Sequence, residues 1–219
     1  MFPIGDDQPK YSPATVTTLL IIANVLIFLF TYSLDPYSRN FVFAKYALVP
    51  SHFRLQSLVT SMFLHGGLIH ILGNMLFLWA FGRSLEDIMG HGKFLLFYLA
   101  SGVCAGFVHV YFNIDSSAPT VGASGAIAGV MGAYLVKFPR ARIATLIFTF
   151  LIINIPAPIM LVYWFIMQLV SGLGSIAYSN VSQGGTAWFA HIGGFIAGIL
   201  LVSVLGTENP RWQRRRVSW

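Results

Sequence analysis

Charge is what this 219-residue chain has least of: Asp, Glu, Lys and Arg make up 9% of it, against about 25% in soluble domains. Hydrophobic residues fill 56%. So few charges cannot cover a solvated surface, which excludes a soluble globular domain and leaves an integral membrane protein. Cysteine is nearly absent as well. The single Cys104 lies in an apolar run, so an internal disulfide is excluded and the thiol reads as core packing. The segment before Ala14 lacks the basic stretch and small-residue cleavage site of a signal peptide, so no removable leader is expected. The formal net charge of +6 does not point to nucleic acid, because the basic residues are scattered over loop positions instead of gathered on one face.

At about 20 residues per span the chain holds about six spans, short loops and no separate soluble domain. The expected fold class is all-α, a polytopic bundle of six transmembrane helices. The spans read 15–32, 68–82, 94–112, 124–138, from about 156 to 170, and 189–205. Residues 33–62 interleave Asp35, Arg39, Lys45 and Arg54 with aromatic rings, which suits a loop in the membrane interface. A polar turn is expected over 83–93. Residues 143–155 are apolar and precede Pro156 and Pro158, so they read as a membrane-embedded approach to the fifth span. Residues 173–188, rich in Gly, Ser, Asn and Gln and free of charge, read as a flexible loop. The domain reading is a short cytoplasmic segment 1–14, the six-span body 15–206 and a basic cytoplasmic tail 207–219.

An even number of spans puts both termini on one side. Placing them in the cytoplasm puts Lys10, Arg83, Lys93, Lys137, Arg140, Arg142, Arg211, Arg214, Arg215 and Arg216 inside, and only Arg39, Lys45 and Arg54 outside. The second, fourth and sixth helices then run from outside to inside, with their N-termini together in the outer half of the bilayer. The fourth is short: from Ser124 to Phe138 it rises only ~22 Å, against a hydrocarbon core of ~30 Å. Pinned at the inner surface by Lys137, Arg140 and Arg142, it must begin below the outer surface, and it begins at Ser124.

Polar side chains at membrane depth usually face a water-filled cavity or one another. His70 and Asn74 lie four apart on the second helix, Ser124 starts the fourth, and His191 lies in the first turns of the sixth, all at similar depth. Gly194 and Gly198 let the sixth helix approach closely on the side of His191, and Gly125, Gly129 and Gly132 form the natural facing ridge. That pairing brings Ser124 beside His191. On the Ser124 stretch alone, close helix packing explains the glycines as well as nucleophilic chemistry does.

What is missing narrows the chemistry. No His-Glu-x-x-His string is present for a zinc protease. Asp35 and Asp115 lie in loops, and Glu86 and Asp87 in the 83–93 turn, so no carboxylate pair stands in the spans for an aspartyl protease. A metal cluster of His65, His70 and His191 has no acidic or thiolate fourth ligand. A serine nucleophile needs only a base and oxyanion donors, so the residues favour a Ser-His dyad with neither metal nor cofactor.

The strings His65-Gly66-Gly67-Leu68-Ile69-His70-Ile71-Leu72-Gly73-Asn74, Phe81-Gly82 with Leu85-Glu86, Gly122-Ala123-Ser124-Gly125 and Ala190-His191-Ile192-Gly193-Gly194, in this order, carry a resemblance. The chain resembles the rhomboid intramembrane serine proteases from Thr15 to Gly206. The resemblance implies Ser124 as nucleophile and His191 as base, with His70, Asn74 and the backbone N–H of Ser124 as oxyanion donors. His65, Gly122, Gly125 and Gly194 take structural places near the site. The implied substrates are single-span membrane proteins cut near the outer face, in the plasma membrane of a bacterium, with the lipid bilayer as surroundings and no obligate protein partner. The fifth helix and the loop after it would be gate and cap. Two departures stand out. Some members stack an aromatic residue, four after the serine, on the histidine, where this chain has Ala128; some carry Trp-Arg in the first loop, which is absent here. The alternative is a catalytically dead relative that binds or sorts transmembrane clients.

The orientation is open to direct measurement. A cysteine placed within 175–185 is expected to react with a membrane-impermeant thiol reagent from outside, and one placed after Glu208 is not. The reverse pattern would overturn the depth argument.

Overall fold

The computed structural model describes residues 2–147, 151–177 and 187–206, without the side chains of 175–177. Most of the loop expected over 173–188, and the tail 207–219, lie outside the described residues. The order is β1 (Phe2–Asp6), α1 (Thr15–Ser33), α2 (Pro36–Tyr46), α3 (Ser57–Thr60), α4 (Leu68–Phe77), α5 (Arg83–Met89), α6 (His91–Phe112), α7 (Ser124–Lys137), β2 (Arg142–Ile147), β3 (Leu151–Pro156), α8 (Ala157–Ala177) and α9 (Trp188–Leu205). Five stretches of the described residues are long and apolar enough to cross a membrane, and Ser124–Lys137 is a shorter apolar helix. The chain is an integral, multi-pass membrane protein built as a helical bundle.

Three helices form its centre, and glycine decides how closely they meet. A Cβ on Gly194 would lie 2.0 Å from the carbonyl oxygen of Gly125, one on Gly198 1.9 Å from that of Gly129, and one on Gly132 2.1 Å from that of Phe195. Helices α7 and α9 therefore touch backbone to backbone along the ridge that the spacing of their glycines indicates. Helix α6 closes the third side: Ala105 lies over Gly125, Ser101 over Gly129 and the branched Val108 over Gly193. In lipid, where apolar side chains gain little by leaving their solvent, such close van der Waals packing is what drives helices together.

The second span departs from the sequence expectation. Residues 83–93 are not a polar turn: α4 runs through a stretch of wider π-type turns at Leu78–Gly82 straight into α5, giving an apolar helical stretch over Leu68–Met89. The chain reverses only at Gly90, whose φ of +78° ends α5 and admits α6 at His91. Three of the charged residues that suggest a turn have local partners. The Arg83 guanidinium lies 4.1 Å from the centre of the Trp79 ring. Glu86 is fully buried and accepts from the backbone N–H groups of Val16 and Thr17, both at 2.8 Å, and from the Thr17 hydroxyl at 2.7 Å; His91 Nδ1 lies 2.6 Å from Oε1, the oxygen that also accepts from Val16. It thus caps the N-terminus of α1, which has no side-chain cap of its own. Asp87 accepts in the same way from the backbone of Tyr11 and Ser12.

The second departure is a three-stranded antiparallel sheet, order β1-β2-β3. Residues 143–147 and 151–155, read as parts of an apolar approach segment, lie in two antiparallel strands in which Arg142 pairs with Pro156 and Ile147 with Leu151. Strand β1 adds to its edge, Phe2 opposite Leu146 and Asp6 opposite Ile143. Asp6 then reaches into the bundle, where it accepts from the hydroxyls of Ser84 and Tyr134, each at 2.6 Å, and pairs with Lys10. The sheet is fastened to the end of α7 away from Ser124. Pro156 and Pro158 flank the start of α8 at Ala157, where missing N–H groups cost least.

The glycine contacts predict an asymmetric mutational response. Gly198→Ala forces a methyl group into the backbone of α7 and is expected to destabilise by about 1–3 kcal/mol, read as a lower thermal midpoint in detergent. Gly92→Ala, on a helical site with no atom within 4 Å, is expected to leave the midpoint unchanged or raise it slightly. Equal midpoints for the two variants would refute the close contact.

Candidate active site

The site is assembled at the N-terminus of α7. Gly122 precedes it with φ of +121° and donates its N–H to the carbonyl of Ser61 at 2.9 Å, which fixes the turn into the helix. Helix α7 begins at Ser124 with no side-chain cap on its first N–H groups. Those free donors and the positive end of the helix dipole face the space beside the Ser124 hydroxyl.

Helix α9 supplies the base. His191 Nε2 lies 2.7 Å from Ser124 Oγ, and the ring is buried at 7% exposure. The distance follows from the Gly125–Gly194 contact three residues further along α9, which holds the two backbones as close as carbonyl and Cα allow. His191 Nδ1 lies 2.7 Å from Gln168 Oε1 on α8. With the Ser124 hydroxyl donating to Nε2, Nδ1 carries the proton and donates to the amide oxygen.

Helix α4 brings the other two expected residues to the same place. A Cβ on Gly122 would lie 2.6 Å from His70 Nε2 and 3.4 Å from Asn74 Nδ2, so both side chains bear on the turn that leads into Ser124. The absence of a side chain at Gly122 is what lets His70 and Asn74 come this close to the turn. Asn74 Nδ2 also lies 2.9 Å from His65 Nε2. His65, buried at 2% exposure, takes one amide proton of Asn74 and leaves the second free to point elsewhere. The His65 and His70 rings meet edge to face at 5.1 Å. Beyond Gly122 a small, partly open space of about 30 Å³, room for roughly one water molecule, is lined by Ser61, Met62, Gly102, Ala105, Thr120 and Ser124 among others.

All the expected site residues, His65, His70, Asn74, Gly122, Ser124, Gly125, His191 and Gly194, are therefore neighbours. Two further residues escape the sequence reading. Gln168 holds His191 Nδ1, and the Trp164 ring lies 5.6 Å from the His191 ring, tilted by 39°. The aromatic neighbour missing at Ala128 is supplied from α8. The available signal was that Gln168 is the one amide side chain between Ala157 and Val170, and a polar residue in a span is a functional candidate by default.

Residues 52–208 match the family model described as Rhomboid domain. The chain belongs to the rhomboid family. It is 36% identical over 155 residues to Rhomboid protease GluP of Bacillus subtilis, an alignment covering 68% of this chain and 26% of the relative. It is 33% identical over 138 residues to the mitochondrial Presenilin-associated rhomboid-like protein of Homo sapiens, covering 61% of this chain and 36% of the relative. Rhomboid protein 1, mitochondrial, of Saccharomyces cerevisiae is 29% identical over 169 residues, covering 74% and 45%. The chain thus spans less than half the length of each of these relatives.

Proposed function

We propose that the chain is an intramembrane serine endopeptidase that cuts single-span membrane proteins in or near their transmembrane segments. The observation that carries this reading is the 2.7 Å approach of Ser124 Oγ to His191 Nε2 at the buried start of α7. A hydroxyl is a weak nucleophile until a neighbouring base takes its proton, and this pair meets that need.

On this reading Ser124 Oγ attacks the scissile carbonyl carbon while His191 Nε2 takes the hydroxyl proton. The carbonyl oxygen becomes an oxyanion. Its donors are the Ser124 backbone N–H, the free amide proton of Asn74 and the His70 ring, all of which border the turn at Gly122. The C–N bond then breaks, His191 passes its proton to the leaving amine, and an acyl-enzyme remains on Ser124. Water, deprotonated by His191, releases the acid and restores the serine. No metal or cofactor enters these steps.

The proposed setting is the plasma membrane of a bacterium, with both termini cytoplasmic, as the distribution of Lys and Arg favours. The site then opens toward the outer half of the bilayer. GluP, the relative named as a protease, supports the same reading.

The test is cleavage of a tagged single-span substrate by purified protein, with and without a serine-directed covalent inhibitor. Ser124→Ala and His191→Ala are expected to abolish detectable cleavage, since such losses cost on the order of 10⁶ in soluble serine proteases. Asn74→Ala removes one of three donors and is expected to cost roughly 10²–10³. Ser124→Ala should keep the parental thermal midpoint. Parental cleavage by a folded Ser124→Ala would sink the reading, and neither cleavage nor labelling in the parent would favour a rhomboid relative that only binds its clients.

A further inference from the structure

Helix α8 contributes more to this site than a wall. Its buried positions, Ala157, Leu161, Gln168 and Gly172, lie on one face, while Ile159, Val162, Tyr163, Ile166, Met167 and Val170 are exposed. Gln168, at 8% exposure, is the amide on that buried face, about 17 Å along the helix and level with His191. One turn earlier Trp164 lies against the same imidazole and also against Phe195 at 6.2 Å.

Resting on the serine-protease reading, we propose that Gln168 is the positioning residue for His191, the third member of a Ser124–His191–Gln168 chain, with Trp164 walling the ring. A dyad can act without such a member, but one has a defined task to perform. Nε2 must be free of its proton to receive one from Ser124, so Nδ1–H needs an acceptor to hold the ring in that tautomer and orientation. The Gln168 carbonyl supplies it. When Nε2 takes the Oγ proton the ring becomes an imidazolium, and its Nδ1–H still points at the negative end of the amide dipole. Gln168 itself neither gains nor loses a proton, because the one taken from Ser124 leaves with the amine.

An amide suits the location better than the carboxylate of a soluble triad. A permanent charge at membrane depth is costly, whereas a neutral carbonyl orients the imidazole without one. Ala128 on α7 is fully buried and presents only a methyl group, and the rings beside His191 are Trp164 of α8 and, at 6.4 Å, Trp188 of α9.

The test uses the full chain in detergent with a tagged single-span substrate. Gln168→Met keeps similar bulk and removes the amide oxygen; Gln168→Glu keeps an oxygen in place. Gln168→Met is expected to lower kcat about 10–100-fold, the usual effect of losing the partner that orients a functional histidine, with KM little changed. Gln168→Glu is expected to recover much of that loss. Its carboxylate favours the imidazolium, so the acid limb of kcat/KM should move to higher pH, a shift that packing alone does not produce. Parental kcat in a folded Gln168→Met protein overturns the proposal. Should Gln168→Met fail to fold, the acid limb of Gln168→Glu decides: movement supports the proposal and a parental limb overturns it. The ¹⁵N resonances of His191 test the same contact without turnover. A protonated Nδ1 in the parent and mixed tautomers in Gln168→Met support it, and identical spectra overturn it. A parent that neither cuts nor labels at Ser124 would defeat the protease reading, whereas a parent that cuts equally well without the amide would defeat this inference alone.

Discussion

The contact of α7 with α9 sets the geometry of everything else, because at Gly125–Gly194 and Gly129–Gly198 there is no side chain between the two backbones. A Ser–His hydrogen bond tolerates errors of only a few tenths of an ångström. Side chains packed between helices leave more play than that, since they hop between rotamers and cores repack around them. Two backbones in contact cannot come closer and lose dispersion energy when they part. Ser124, one residue before Gly125, and His191, three before Gly194, inherit that fixed separation. Helix α6 reinforces it with Ala105, which lies against Gly125 and Gly194, and Ser101, which lies against Gly129.

A short helix must also be held along its own axis, or its first residue would drift in depth. Tyr134, in the last turns of α7, donates to Asp6, which also accepts from Ser84 of α5. Asp6 is itself fixed by pairing β1 with β2. The chain leaving α7 thus returns, through the sheet, to hold the helix it left. Glu86 does the same for α1 by taking the place of its missing cap. These buried carboxylates are saturated with donors, which is the condition under which a charged group far from water is stable.

The site was legible in the sequence to the extent that its causes are local. Glycines four apart announce a close helix contact, and His70 and Asn74 four apart announce a shared face, whatever the rest of the chain does. The short span of α7 follows from counting residues between Ser124 and the basic cluster at Lys137, Arg140 and Arg142. The elements misread are those fixed by distant partners. Residues 143–155 are rich in Ile, Thr and Phe, which suits a strand, but an unbroken apolar run suits a membrane segment equally, and the partner strand Phe2–Asp6 lies more than a hundred residues earlier. Glu86 and Asp87 look like a solvated turn until the backbone at Tyr11, Ser12, Val16 and Thr17 is known to lie against them. Gln168 was visible as an isolated polar residue in a span, but its orientation toward His191 depends on how α8 rests against α9. Alternation and periodicity do not report that.

Two requirements of the proposed chemistry are therefore met by different parts of the fold. The distance between nucleophile and base belongs to α7 and α9, whose backbones are locked together. The orientation of the base belongs to α8, which meets α9 through a narrow stripe of residues and leaves most of its circumference to the bilayer. At Gly172 a Cβ would sit 3.4 Å from Ile192 and from Trp188, ordinary van der Waals contact, where the glycines of α9 allow only about 2 Å. A helix held this way parts from its neighbour at a lower cost than α7 parts from α9. Displacing α8 removes Gln168 and Trp164 from His191 while leaving Ser124 and His191 within reach of each other. The imidazole then keeps its partner but loses the contacts that select its tautomer. On the proposed reading, the separation of these two tasks lets a substrate segment press α8 aside without dismantling the dyad, and the histidine regains its orientation when α8 closes again.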